Sequence, residues 1–192
     1  MPKYKLDIKD NFRSDAEVIL MYKAAKTDDE RLWIALLWKT AARPSELLAL
    51  VKEDIVISGD NIVIRLITEK LKQGDYHTPY RTLEFERPKG LDIDALLEAI
   101  VFLTNKIEPQ QKIFVNGLRW GQKAINRIGI EVFGKPYSPY HFRHSRMNYC
   151  GDVLGFVPTE LQHLKGASDI RSVNPYLHSR KLFIKAERKP VE

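Results

Sequence analysis

Ser138-Pro-Tyr-His-Phe-Arg-His-Ser145 is the stretch on which the reading of this chain turns. Ser138 is a preferred helix N-cap and Pro139 suits the first helical position, so the stretch predicts a helix start. Tyr140 and Arg143 are three residues apart and share a face near the positive end of the helix dipole, where an anion is favoured. Two more segments join it. Thr40-Ala-Ala-Arg-Pro-Ser-Glu-Leu47 carries Arg43 directly before a proline, and Asn174-Pro-Tyr-Leu177 carries Tyr176. Each guanidinium can grip two phosphate oxygens at once, and a phenol hydroxyl can act as a nucleophile. Two arginines and a tyrosine are together equipped to cleave a phosphodiester.

Composition is compatible with that chemistry. The chain has 192 residues, 44% of them apolar, enough for one sizeable core or two lobes. Its formal charge is +6, with the basic residues spread among 25 acids, and this favours a polyanionic partner. The single cysteine, Cys150, excludes an internal disulfide framework and a cysteine-pair zinc site, and fits a reducing compartment. No apolar run reaches the ~18 residues of a membrane span, and Met1-Pro-Lys-Tyr-Lys-Leu6 has no signal-peptide core. A soluble, cytoplasmic protein with no membrane partner is expected.

Along the chain, residues 1–13 read as a short arm and 14–192 as one domain. Ser14 and the Thr27-Asp-Asp-Glu30 capping box predict two helices, the second buried through Leu32, Trp33, Leu36 and Leu37. Arg43 ends it, and Pro44 opens a short helix to about Leu50. The pattern then turns β-branched: Ile55 to Ile57, a Gly59-Asp60 turn, Ile62 to Thr68, and Arg81 to Phe85 predict a three-stranded antiparallel sheet. Between its second and third strands lies a polar loop with Lys70 and Lys72 near its start. Helical spacing returns at Ile93 to Leu103, at Leu118 to Phe133 (weakened by Gly121 and Gly129), from Ser138 to about Leu154, and from Pro158 to about Gly166. Ser168 to Val173 is a further helical piece, after which Asn174 and Pro175 are expected to break the chain and start a last helix reaching about Ala186. Tyr176 would then sit in that helix's first turn, where backbone amides favour a developing phenolate.

These segments, in this order and spacing, resemble the tyrosine recombinase (phage integrase) family from about Thr27 onward. The first is similar to the family's Arg box, the second to its His-x-x-Arg box in the form Tyr140-x-x-Arg143, and the last to its nucleophile segment. The resemblance implies a mainly helical α+β catalytic domain with a small antiparallel sheet, acting on double-stranded DNA by site-specific cleavage and rejoining through a phosphotyrosyl intermediate. In that reading Arg43 and Arg143 neutralise the phosphate, Tyr176 attacks, and a hairpin lysine protonates the leaving 5′ oxygen. Counting along the strand from Ile64 gives Lys70, with Lys72 as the fallback. No metal, nucleotide or other cofactor is implied. The family's clamp-forming amino-terminal domain has no counterpart among these residues, and self-association on DNA as a dimer or tetramer is implied.

Two positions depart from the family pattern. Tyr140 stands where a histidine is usual, and either bonds phosphate or packs. Ala167 stands where a histidine or tryptophan is common. Integrases of archaeal viruses and plasmids resemble this chain in tolerating such changes. His141 is one residue off register and, with Lys72, is a candidate DNA contact; His144 matches a family residue that mainly supports packing. Arg119, Lys123 and Arg127, four residues apart on a helix that lies against DNA in the family, form a further candidate contact stripe. The competing readings are an Arg43–Glu46 ion pair with no phosphate role, a recombinase-fold DNA-binding regulator without catalysis, and a type IB topoisomerase.

Overall fold

The computed structural model describes residues 12, 14–67, 80–88 and 94–177. Lys70, Lys72, His77, His178, the expected last helix beyond Leu177 and nearly all of the amino-terminal arm lie outside them. Seven α-helices and one small sheet are described: α1 Asp15–Ala24, α2 Asp28–Thr40, α3 Pro44–Leu48, β1 Ile55–Ser58, β2 Asn61–Ile67, β3 Tyr80–Glu86, α4 Ala95–Thr104, α5 Leu118–Phe133, α6 Pro139–Asp152 and α7 Pro158–Lys165.

The core is built around α2. Thr27 caps it, its hydroxyl accepting from the Glu30 amide at 3.2 Å, and nearly every residue from Leu32 to Thr40 is buried. A helix buried on all sides must be covered by several partners, and α1, α4, α5 and α6 all pack on it. Trp33, Leu36 and Leu37 are completely buried, each stabilising by about 1.5–3 kcal/mol relative to exposure. Trp33 meets Phe114 edge-on with ring centroids 5.0 Å apart, and truncating it to alanine should cost about 3–5 kcal/mol. Gly121 and Gly129 lie where α5 needs closeness rather than propensity: a Cβ would fall 2.7 Å from the Trp33 and Tyr137 rings respectively. Phe12, within the stretch read as an arm, is buried and stacks on Tyr137 at 5.0 Å.

The sheet order is β1-β2-β3, antiparallel throughout, as the β-branched runs predict. Ile62, Ile64 and Leu66 of β2 point inward, opposed in register by Phe85, Leu83 and Arg81 of β3. Period-2 alternation therefore carries an arginine into the interior at the end of the apolar row.

Some boundaries differ from expectation, the short helix opened by Pro44 ending at Leu48 rather than about Leu50. The helix opened by Ser138 ends at Asp152 rather than at about Leu154. Asn174 and Pro175 do not start a helix: they belong to a 3-10 segment, Ile170–Tyr176, that Asp169 caps from in front. Proline fits because tightly wound 3-10 turns tolerate its fixed φ, and Asn174 is not needed as a cap. Tyr176 therefore closes a 3-10 segment instead of standing in the first turn of a new helix.

Candidate active site

Arg43 sits at the junction of α2 and α3, and the backbone there is unusual. Ala41 ends α2 in the left-handed region at φ 48°, a conformation non-glycine residues adopt at a cost of about 1–2 kcal/mol. After it Arg43 is extended, and Glu46, three residues on, folds back over the helix start. One Glu46 oxygen accepts from the Arg43 amide at 2.8 Å and the other pairs with the Arg43 guanidinium at 2.6 Å. The ion pair considered from sequence thus exists, but it is one half of a larger arrangement.

The other half comes from β3. Arg81, only 4% exposed, donates Nη2 to Glu46 Oε2 at 2.7 Å. Glu46 is fully buried between the two guanidiniums. Burial alone pushes its carboxyl up, but the Arg81 hydrogen bond and charge, joined by Arg43, outweigh it and leave the pKa below the ordinary value. Gly166, at φ 60°, ends α7 directly against Arg81: a Cβ there would stand 2.5 Å from Arg81 Nη1. That position needs glycine for its backbone and for its neighbour. His163 of α7 reaches the same strand, its ring nitrogen 2.7 Å from the Thr82 carbonyl.

Arg143 enters from α6. Its Nη1 donates to the Ala41 carbonyl at 2.5 Å and its Nη2 to the Lys165 carbonyl at 2.6 Å, tying α6 to the α2–α3 junction and to the end of α7. Burial, together with the positive charge of Arg43, pushes Arg143 down to about 10, with Glu46 partly offsetting this; it stays protonated at neutral pH. Its bond to the Ala41 carbonyl holds the Arg143 guanidinium at the α2–α3 junction, two residues before Arg43. Lys165 feels both, and burial followed by Arg143 and Arg43 holds its ammonium below the usual lysine range.

Tyr176 lies beside them. The 3-10 segment that carries it is pressed onto α6 so closely that a Cβ at Gly151 would fall 2.1 Å from the Tyr176 carbonyl oxygen. Lys165 pins the segment with a 2.5 Å bond to the Ser172 carbonyl and places Nζ 5.2 Å above the Tyr176 ring. The Tyr176 hydroxyl is 3.1 Å from His144 Nδ1. Burial raises the phenol's pKa and the Arg143 charge partly opposes the rise.

Of the residues singled out from sequence, Arg43, Arg143 and Tyr176 are brought together, and Lys70 and Lys72 lie outside the described residues. Tyr140 is half-exposed on the first turn of α6. His141 serves the helix it sits on, its Nδ1 accepting from the Ser138 amide at 3.0 Å with the Ser138 hydroxyl 2.9 Å away. A histidine three residues after a serine cap takes the place that glutamate holds in the usual capping box, a signal present in the sequence. Arg119, Lys123 and Arg127 line one depression of about 530 Å³ with Trp120. Arg127, however, is held by both oxygens of Glu30 at 2.7 and 2.8 Å.

Sequence reasoning passed over Arg81, Lys165 and the bonding partner of His144. Arg81 was signalled by alternation, since Arg81, Leu83 and Phe85 share one face of Tyr80-Arg-Thr-Leu-Glu-Phe-Glu86. Lys165 carried no such mark, because only the approach of the 3-10 segment gives it a role. Among the described residues no group of three or more His, Cys, Asp or Glu side chains is placed to hold a metal ion, and no helix is long and apolar enough to cross a membrane.

Comparison with solved structures shows a shared fold. The chain is similar to the XerH site-specific recombinase bound to a palindromic difH substrate in a post-cleavage complex, with a TM-score of 0.65 and 15% identity over 92% of this chain and 52% of that one. It is also similar to the XerA recombinase, with a TM-score of 0.63 and 17% identity over 100% of this chain and 68% of that one. A third likeness is to the Tn1549 transposon integrase in complex with circular intermediate DNA: TM-score 0.62, 14% identity, 95% of this chain and 68% of that one. The chain thus spans about half the length of XerH. No family model and no curated protein matches it by sequence. The fold, mainly helical with a three-stranded antiparallel sheet, is shared with these recombinases.

Proposed function

We propose that this chain is the catalytic domain of a site-specific DNA recombinase or integrase of the tyrosine recombinase family, cleaving and rejoining double-stranded DNA through a 3′-phosphotyrosyl intermediate on Tyr176. One observation carries the reading: Arg143, distant in the chain, is tied to the Ala41 carbonyl two residues before Arg43, and the Tyr176 hydroxyl meets His144, the residue that follows Arg143. Two fixed positive charges at one spot, in a partly dry setting, match the pentacoordinate phosphorane-like charge that develops during in-line attack. The phosphotyrosyl bond conserves the energy of the broken linkage, so neither ATP nor a metal is required. Lys70 is assigned to protonate the departing 5′ oxygen, with Lys72 as its alternate. Tyr140 is assigned to the rim of the phosphate site, where its exposed hydroxyl can donate to a non-bridging oxygen. Arg119 and Lys123 are assigned to the DNA backbone.

Self-association on DNA and membership of the archaeal virus or plasmid subgroup belong to the same proposal, the latter resting on Tyr140 and Ala167. A duplex nicked beside the scissile phosphate tests the core of it. The short 5′ fragment diffuses away and traps the intermediate, so wild type should form a covalent protein–DNA adduct that Tyr176→Phe abolishes. Binding without any adduct would make the chain a DNA-binding regulator instead. Plasmid relaxation without exchange between sites would make it a type IB topoisomerase.

A further inference from the structure

We infer that His144 is the catalytic base that takes the Tyr176 proton during strand cleavage. The inference rests on the strand-transfer reading above and adds a residue to it. His144 Nδ1 lies 3.1 Å from the Tyr176 hydroxyl, with ring centroids 5.7 Å apart. The other described histidines are engaged elsewhere: His141 Nδ1 accepts from the Ser138 amide, and the His163 ring nitrogen meets the Thr82 carbonyl at 2.7 Å. The pairing is built in. His144 and Gly151 are seven residues apart on α6, two turns along one face. The bare surface at Gly151 receives the Tyr176 backbone, and this lays the phenol along the same face toward His144.

The charges around the ring favour an accepting imidazole. Arg143 on its own helix, Lys165 from α7 and Tyr176 from the 3-10 segment face it. Burial, then Lys165, then Arg143 hold His144 below the ordinary 6.5, so it is neutral near pH 7 and can carry its proton on Nε2. The buried phenol does not ionise unaided at that pH. In the step proposed, the bond from Tyr176 Oη to phosphorus forms as the bond from phosphorus to O5′ breaks. The phenol proton passes to His144 Nδ1, giving an imidazolium, and the departing O5′ takes a proton from the general acid assigned to Lys70. Rejoining runs the same transfers backwards. An imidazolium beside Lys165 and Arg143 is disfavoured until an anionic phosphate is bound between the arginines, which couples the base to the presence of DNA.

The test is single-turnover adduct formation on the nicked duplex. Asparagine keeps an acceptor oxygen at this place but cannot carry the proton, so His144→Asn and His144→Gln should both slow the reaction about 100-fold or more. DNA binding by gel shift and the melting temperature should stay near wild type, which separates the effect from misfolding. The wild-type rate should fall as pH drops through the His144 pKa, and the variants should lose that limb. A 5′-bridging phosphorothiolate, whose sulfur leaves without a proton, should rescue Lys70→Ala and leave both His144 variants slow. Wild-type rates in the asparagine variant, or rescue of it by the sulfur substrate, would overturn the assignment while leaving Tyr176 as nucleophile. An adduct that survives Tyr176→Phe, or none in wild type, would instead remove the strand-transfer reading and this inference with it.

Discussion

Glu46 shows how much one side chain can hold in place. It touches no substrate in the proposed reaction, yet Arg43 and Arg81 both close on its buried carboxylate. Removing one partner from a buried pair strands the other charge, at a cost of about 3–5 kcal/mol, so Glu46→Gln should show that loss in urea unfolding at pH 7. The pH dependence has a definite sign. The folded pKa of Glu46 lies below the ordinary 4.5, so the unfolded chain binds the proton more readily. Its stabilising contribution is whole above about pH 4.5 and is lost as pH falls through the folded pKa. In the glutamine variant the acid limb of the stability curve should be correspondingly shallower; an unchanged limb would mean that Glu46 is not the titrating group. Arginine identity matters at the same scale. Arg43→Lys and Arg143→Lys keep the charge but lose the planar fork, which in Arg143 also bonds the Ala41 and Lys165 carbonyls, and each should slow adduct formation by about 10²–10³. Much of this was legible in the chain: Arg43 and Tyr176 each adjoin a proline, and Arg143 stands early in the helix that Ser138 opens. Arg81 was written equally clearly in the alternation of its strand, but an inward arginine contradicts the usual preference and is easily read as a strand edge.

Between elements, the contact that matters most is the one between α6 and the 3-10 segment. An alanine in place of glycine would favour a helix by about 1 kcal/mol if nothing lay opposite. At Gly151 the Tyr176 carbonyl is 2.1 Å from where the new Cβ would be, and backbone cannot yield as a flexible side chain can. Gly151→Ala should therefore lower the melting temperature despite its propensity gain. It should also slow adduct formation more than it weakens DNA binding, because it shifts Tyr176 and leaves the arginines where they are. Equal losses in binding and cleavage would count against this division. The helix start at Ser138 was readable from cap chemistry. The course of the 3-10 segment was not, because Asn174-Pro175 has the local signature of a break, and whether a turn continues through proline is decided by what it packs against. Here that is Gly151 on one side, far from it in sequence, and Lys165 on the other, whose bond to the Ser172 carbonyl no local spacing announces.

For the molecule as a whole, the separate chain segments meet through cations whose partners are internal as well as external, and this decides which of its basic residues can serve DNA. A net charge of +6 predicts affinity that falls with salt, but the slope counts only the cations that displace counterions from phosphate. Arg119 and Lys123 are exposed on α5, whereas Arg127, on the same stripe, is gripped by both oxygens of Glu30 and also reaches Glu131. Sequence spacing set these three cations in one row and could not distinguish them, because Glu30 belongs to α2 and only the packing of α5 brings it close. The consequence is measurable by fluorescence anisotropy across a salt series on any duplex of fixed length. Arg119→Ala and Lys123→Ala should each lower the slope of log K against log salt by about 1 and leave the melting temperature unchanged. Arg127→Ala should leave the slope close to wild type and instead lower stability by about 1 kcal/mol, the value of a partly exposed pair. If Arg127→Ala reduces the slope as the other two do, then the guanidinium leaves Glu30 for phosphate when DNA binds. In that case the Glu30→Gln variant, which frees Arg127 in advance, should bind DNA more tightly than wild type at low salt.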